Sequence, residues 1–323
     1  MQMDFNLIML TMAVAFIIAV IVGPLMIPIL RRLKFGQQIR EEGPKSHQKK
    51  KGTPTMGGTI ILLAMTIAFF RFADELGTSF YILLLGTLGF GLIGFLDDYI
   101  KIVFKRSLGL TAKQKLLGQF VVSAAICVLL YKMNHPTDIT IPIIDFSFDL
   151  QWFYYVFVIL LMMGMTNAVN FTDGLDGLLA GTSAIAFGAF AVISLTLTAL
   201  EPAIFSAAML GAVLGFLVFN THPAKVFMGD TGSLGIGGGL VTVAILTKSE
   251  ILLFLIGAIF IIEILSVILQ VISFKTTGKR IFKMSPIHHH FELVGWSEWR
   301  VVITFWVAGL IFAGLGLFIH RGL

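Results

Sequence analysis

Residues 5–30 run for 26 positions without one charged side chain, and no other feature constrains the fold of this chain as tightly. An α-helix rises about 1.5 Å per residue, so roughly 20 apolar residues cross the hydrocarbon core of a bilayer. This stretch and residues 251–274 are apolar on nearly every face, whereas a barrel strand alternates every second residue. Backbone polar groups in lipid must satisfy one another, which leaves helices as the spanning elements. Composition extends this reading to the rest of the 323 residues: 57% are apolar and 13% charged, against about 25% charged in a soluble domain. Mean hydropathy is +0.94. Disordered, collagen-like and soluble α/β chains are excluded together, because none hides this much apolar surface from water. The expected fold class is all-α, a polytopic membrane protein, taken as one integral-membrane domain over 1–323.

Apolar runs set against charged or Gly/Pro-rich breaks predict ten spans, at 5–30, 57–72, 78–96, 116–131, 152–166, 178–200, 202–219, 234–247, 251–274 and 299–319. Residues 1–4 lack a basic n-region and the run that follows is too long for a signal h-region, so the first span is read as a retained helix. Lysine and arginine concentrate in cytoplasmic loops. With both termini outside, 19 of the 23 basic residues fall inside, and only Arg71, Lys132, Lys248 and Arg321 fall outside. The longest outer segment, 138–149, alternates apolar and polar residues around a proline and predicts a small hairpin without chemistry. The single cysteine, Cys127, lies in an apolar run, so neither a disulfide framework nor a cysteine metal cluster is expected.

Four polar clusters fall on the inner side of this topology. Asp97-Asp98 ends an uncharged run, and carboxylates at membrane depth are expensive and usually functional. Adjacent aspartates cannot face one direction on a helix, so two roles are expected. Asn167, Asn170, Asp173 and Asp176, four side chains able to coordinate an oxygen-loving partner, lie in a segment without a base, with Gly174 and Gly177 allowing close backbone approach. Helix capping is the bland alternative. The third cluster runs from Asn220 through Phe227 to Asp230, Thr231 and Ser233, either an N-cap or a phosphate-binding helix start. The fourth holds His288, His289 and His290. Histidine spacing alone would fit zinc. The companion acids are aspartates, which suit a hard ion, and Mg2+ is the expected cofactor. Carboxylates, lysines and histidines gathered at one membrane surface suit phosphoryl transfer to or from a lipid.

Gly52-Thr-Pro-Thr-Met-Gly-Gly58, Gly94-Phe-Leu-Asp-Asp-Tyr99, Leu108-Gly-Leu-Thr-Ala-Lys-Gln-Lys115, Asn170-Phe-Thr-Asp-Gly-Leu-Asp-Gly177, Phe227-Met-Gly-Asp-Thr-Gly-Ser233 and Pro286-Ile-His-His-His-Phe-Glu292 stand in this order. Together they resemble the phospho-N-acetylmuramoyl-pentapeptide-transferase family, within the polyprenyl-phosphate N-acetylhexosamine-1-phosphate transferase superfamily. The resemblance implies an Mg2+-dependent enzyme that moves phospho-MurNAc-pentapeptide from UDP-MurNAc-pentapeptide to undecaprenyl phosphate, forming lipid I and UMP for peptidoglycan. It implies a multi-pass protein of the bacterial cytoplasmic membrane with its active site on the cytoplasmic face. By position, Asp97, Asp98, Asp230 and His288 match catalytic residues, and Asp230 the metal-binding one. Lys50, Lys113, Asn170, Asp173, Asp176, Asn220, Phe227, His289 and His290 match substrate-binding positions. Implied partners are the two substrates and the bilayer, with a homodimer left open and no nucleic acid.

Asp97 is the expected base for the last proton of the acceptor phosphate, with Asp98 assisting, and direct displacement is preferred over a phospho-aspartate. Two other readings stand beside this one. A relative using another UDP-N-acetylhexosamine shares the acidic motifs. An organic-anion transporter would also place ionisable groups in a helical bundle, near midplane. Only Glu263 lies deep in a span, where it caps a broken helix, lines a lipid groove or pairs in the interior.

Overall fold

The computed structural model describes residues 2–32, 52–74, 76–104, 108–144 and 146–322. Helix α1 (Gln2–Arg32) is followed by α2 (Gly58–Phe72), and α3 (Thr78–Leu84) passes through a π-helical turn, Leu85–Gly89, into α4 (Phe90–Val103). Helix α5 (Ala112–Lys132) opens on a reciprocal cap between Thr111 and Gln114, satisfying N–H groups that a helix start leaves unpaired. Strands β1 (Asp138–Ile141) and β2 (Phe146–Asp149) pair antiparallel with Asp138 opposite Asp149, the hairpin expected over 138–149. Then come α6 (Phe153–Thr172), α7 (Leu178–Thr196), α8 (Leu200–Asn220), α9 (Gly229–Leu246), α10 (Glu250–Ile256), α11 (Ala258–Thr277), α12 (Ile287–Val294) and α13 (Glu298–Arg321).

Among the described residues nine helical stretches are long and apolar enough to cross a membrane, counting α3–α4 as one, and the 15-residue α2 is a shorter tenth. The protein is all-α and polytopic, and each of the ten expected spans has its helix. Several boundaries differ from the sequence reading, and the fifth span continues past 166 to Thr172, which places Asn167 and Asn170 within α6. The third span continues to Val103, so Asp97 and Asp98 sit inside the last turns of α4 and not at its exit. The eighth begins at Gly229 instead of 234, which places Asp230, Thr231 and Ser233 within the helix. The ninth breaks at Gly257 into α10 and α11, because the backbone there leaves helical geometry (φ −90°, ψ 19°).

Helix α9 runs through the middle of the bundle, with 83% of its apolar window buried. Six glycines between 229 and 239 explain how. In water each would weaken a helix by about 1 kcal/mol, but between packed helices they let backbones touch. A Cβ on Gly94 of α4 would stand 2.0 Å from the Asp230 carbonyl, and one on Gly238 would stand 2.1 Å from the Gly86 carbonyl. The close approach of α4 to α9 therefore depends on the absence of side chains there, and it brings Asp98 to the start of α9.

Helix ends alternate between two ends of the bundle. One holds the C-termini of α4, α6, α8 and α11 and the N-termini of α2, α5, α7, α9 and α13. The other carries the hairpin, where Lys248 donates to the Pro136 and Asp138 carbonyls at 3.1 and 2.5 Å and Tyr154 donates to Glu250 at 2.6 Å.

Candidate active site

Asp98 is almost fully buried and serves the first turn of α9. Its Oδ2 accepts the Thr231 N–H at 2.9 Å and the Thr231 hydroxyl at 2.8 Å, and its Oδ1 accepts the Asp230 N–H at 3.2 Å. It is thus a helix cap supplied by another helix, and its negative charge meets the positive end of the α9 dipole. Residues 54–58 brace the same turn from the other side. The Phe227 N–H donates to the Pro54 carbonyl, and Gly57 and Gly58 donate to the Phe227 and Met228 carbonyls, all at 2.8 Å. A Cβ on Gly58 would lie 2.2 Å from Gly232, so only glycine fits there.

Asp230, held in this way, gathers three partners. Its Oδ2 lies 2.7 Å from Lys115 Nζ and 3.2 Å from Lys101 Nζ, and its Oδ1 accepts from Asn170 Nδ2 at 3.0 Å. Asn170 is fixed in turn by donating to the Ser233 hydroxyl at 2.7 Å. Asp97, one residue before Asp98, turns the other way. Its Oδ2 is 2.5 Å from Lys101, and its Oδ1 accepts the Leu110 N–H at 2.9 Å. One oxygen from each of Asp97, Asp98 and Asp230 falls within 4.8 Å of the others. Three carboxylates this close repel one another unless cations intervene, and two ammonium groups already stand among them. Half-buried Asp173 closes the cluster from the α6–α7 loop. Burial, with the negative charges of Asp230 and Asp98 nearby, pushes its carboxyl up to about 8, against a lowering by the Gly229 N–H.

The all-oxygen donor set fits a hard divalent ion. Asp98 spends both oxygens on the α9 start, which leaves Asp97 and Asp230 facing the centre, and Mg2+ is usually held by one or two carboxylates plus substrate phosphate.

The sequence profile of Glycosyl transferase family 4 matches residues 80–248, and that of Phospho-N-acetylmuramoyl-pentapeptide-transferase signature 1 matches residues 50–62. The phospho-N-acetylmuramoyl-pentapeptide-transferase of Bacillus subtilis (strain 168) is 62% identical over 318 residues, covering 98% of both chains. The proteins of that name from Halalkalibacterium halodurans (60%, 98% of both chains) and Geobacillus kaustophilus (59%, 97% of this chain and 98% of the relative) are similar over the same extent. This chain belongs to the phospho-N-acetylmuramoyl-pentapeptide-transferase family. It is a membrane transferase.

Of the residues that the family resemblance singled out, Asp97, Asp98, Asn170, Asp173 and Asp230 meet in one place, and the others are distributed around it. Asn220 is buried as a brace, accepting the Gly177 N–H and donating to the Val226 carbonyl, both at 3.0 Å. Asp176 turns to His222 at 2.8 Å and accepts the Ala224 N–H at 3.1 Å. Phe227, half-buried, contributes its backbone to the brace on residues 54–58. Lys113 is exposed at the start of α5. Lys50 lies outside the described residues. His288 is completely buried, its Nδ1 3.0 Å from the equally buried Glu263 and its Nε2 against Gly174, where a Cβ would stand 2.1 Å away. Glu263 therefore faces His288 in the interior, in close contact but without hydrogen-bond geometry. His289 pairs with Glu292 at 2.9 Å, and His290 accepts the Lys283 N–H at 3.1 Å.

Lys101 and Lys115 were given no role in the sequence reading, and both touch the central carboxylates, while Thr231, read there as part of a helix start, bonds Asp98. A signal for the first existed: Lys101 stands four residues after Asp97, one helical turn on. Asn167, read as a coordinating group, instead pairs with buried Gln119, donating to it at 2.8 Å.

Proposed function

We propose that the chain transfers phospho-MurNAc-pentapeptide from UDP-MurNAc-pentapeptide to undecaprenyl phosphate, releasing UMP and forming lipid I, with Mg2+ at the cytoplasmic face of the bacterial membrane. The observation that carries this reading is the meeting of Asp97, Asp230, Lys101 and Lys115 at one end of the bundle. An oxygen of the lipid phosphate attacks the sugar-linked phosphorus, a new P–O bond forms, and the bond to the nucleotide phosphate breaks as UMP departs. Negative charge develops on the departing phosphate and is met by Lys101 and Lys115. Asp230 would hold Mg2+, which when bound supplies further neutralisation of the pyrophosphate. Asp97, outside the α9 cap, is the carboxylate left to take the acceptor's last proton. Asp98 positions Asp230, and Asn170 orients it. Direct displacement needs no further nucleophile, because the acceptor is already an anion.

Purified protein given UDP-MurNAc-pentapeptide, undecaprenyl phosphate and Mg2+ should release UMP and form lipid I. Asp230→Asn should abolish this while the fold persists. Turnover of that variant in magnesium-limited buffer at the wild-type rate would exclude Asp230 as the metal-holding residue. No UMP from wild type would exclude the reaction.

A further inference from the structure

Helix α11 carries a polar stripe along an otherwise apolar surface. Its buried residues Ile259, Glu263, Ser266 and Gln270 recur at intervals of three and four and so share one face, while Ile262, Leu265 and Leu269 on the other faces are exposed. Gln270 uses its whole amide on the segment that leads back to α12. Its Nε2 donates to the Phe282 carbonyl at 2.9 Å, and its Oε1 accepts the Ile281 and Phe282 N–H groups at 3.0 and 2.9 Å. Glu263, two turns earlier, meets the start of α12, where His288 Nδ1 lies 3.0 Å from its Oε1. The other ring nitrogen, Nε2, faces Gly174, where a Cβ would stand 2.1 Å away. The imidazole is thus wedged between a carboxylate of α11 and the backbone of the α6–α7 loop, one residue from Asp173. Both side chains are completely buried, and among the described residues neither makes a hydrogen bond. An ionisable group inside a membrane helix is expensive, and apolar side chains of the same size would fill this space at lower cost. No atom of either residue is open to a substrate. What the pair does reach is the loop that brings Asp173 near Asp230 and Asp98.

We propose that Glu263 is a positioning residue for the phospho-sugar transfer: acting through His288, it fixes the α6–α7 loop, and with it Asp173, at the aspartate centre. This rests on the transferase reading above and adds to it a residue that touches no substrate. A carboxylate facing one ring nitrogen sets which way an imidazole stands, as the outer partners of working histidines do. A ring held in this way keeps the spacing between α11 and Gly174 constant. That spacing matters to the reaction, because a group displaced by about 1 Å from its reacting geometry loses about 100-fold in rate.

The test follows UMP release by the full chain in detergent, with kcat taken per folded chain and KM measured for each substrate. Glu263→Gln, which keeps the size of the side chain, should lower kcat by about 10–100-fold. Both KM values should stay at their wild-type level, because neither buried side chain meets a substrate. His288→Asn should fall at least as far, and the double variant should be no slower than His288→Asn alone, since a residue that acts through another has nothing further to lose. A general loosening of the bundle would instead make the two losses multiply. Wild-type kcat in Glu263→Gln, losses that multiply, or a raised KM with kcat held overturns the proposal. If Glu263→Gln does not fold, Glu263→Met, which leaves no polar atom to bury, is read in the same way. Wild type that releases no UMP defeats the transferase reading itself, and that result is seen before any variant is compared.

Discussion

Asp98 receives two hydrogen bonds from one residue, Thr231, through a single carboxylate oxygen: the backbone N–H at 2.9 Å and the hydroxyl at 2.8 Å. The last turns of one membrane helix thereby cap the first turn of another, and Asp230 stands at the junction. Hydrogen bonds to charged groups contribute about 1.5–3 kcal/mol each when buried. Asp98→Ala should lower the thermal midpoint in detergent and abolish turnover together. Thr231→Val, which removes only the hydroxyl bond, should cost about 1.5 kcal/mol and retain measurable UMP release. A Thr231→Val as inactive as Asp98→Ala, yet as stable as wild type, would contradict this division.

Lys115 and Lys113 lie two residues apart and face different surroundings, Lys115 2.7 Å from Asp230 and Lys113 exposed. Removing one partner of a shielded ion pair costs about 3–5 kcal/mol, two or more decades in rate if felt in the transition state. Lys115→Met should therefore lower kcat by about 100-fold or more, and Lys113→Met should act mainly on KM. Steady-state kinetics of the two variants side by side would expose a reversed order.

Gly94→Ala is expected to inactivate. Its Cβ would meet the Asp230 carbonyl at 2.0 Å, a backbone atom that cannot swing aside, and overpacking of this kind costs about 1–3 kcal/mol. Gly314→Ala in α13, with no atom within 4 Å of the added Cβ, serves as control and should behave as wild type in both melting and turnover.

The raised Asp173 carboxyl has a sign that can be measured. Its native value near 8 lies above the ordinary 3.8, so the folded protein keeps a proton that the unfolded chain releases. The contribution to stability is full below about pH 4 and is lost as pH rises towards 8. In chelator, Asp173→Asn should gain in melting temperature relative to wild type between pH 5 and pH 8. A difference that stays flat, or falls, would remove Asp173 from the cluster of like charges.

Asp97 as the acceptor's base predicts a pH-dependent defect. Phosphate monoesters lose their second proton near pH 6, by analogy with phosphorylated side chains at about 6. Asp97→Asn should lose more activity at pH 6 than at pH 9, whereas Asp230→Asn should be inactive at both. Equal loss at the two pH values with Mg2+ binding abolished would make Asp97 a metal ligand.

Spans and hairpin were legible in the sequence because apolar length and two-residue alternation are local properties. Each of the ten apolar runs became helical, the ninth as two helices, and residues 138–149 formed the expected hairpin. The residues of the acidic centre were also visible as types, since aspartates beside apolar runs and glycine-flanked helix starts are rare without a use. What each one does was decided by packing. Asp97 and Asp98 are neighbours in sequence, but about 100° of helical rotation separates them, so one faces Lys101 and the other enters the start of α9. Nothing local distinguishes Lys115 from Lys113, or predicts that Glu263 of α11 meets His288 of α12 in the interior, because each depends on which helices lie side by side. Sequence determined the apolar helices suited to a membrane and the stock of chemical groups. The tertiary structure, through glycines that let α4 and α9 touch, decided which of those groups meet.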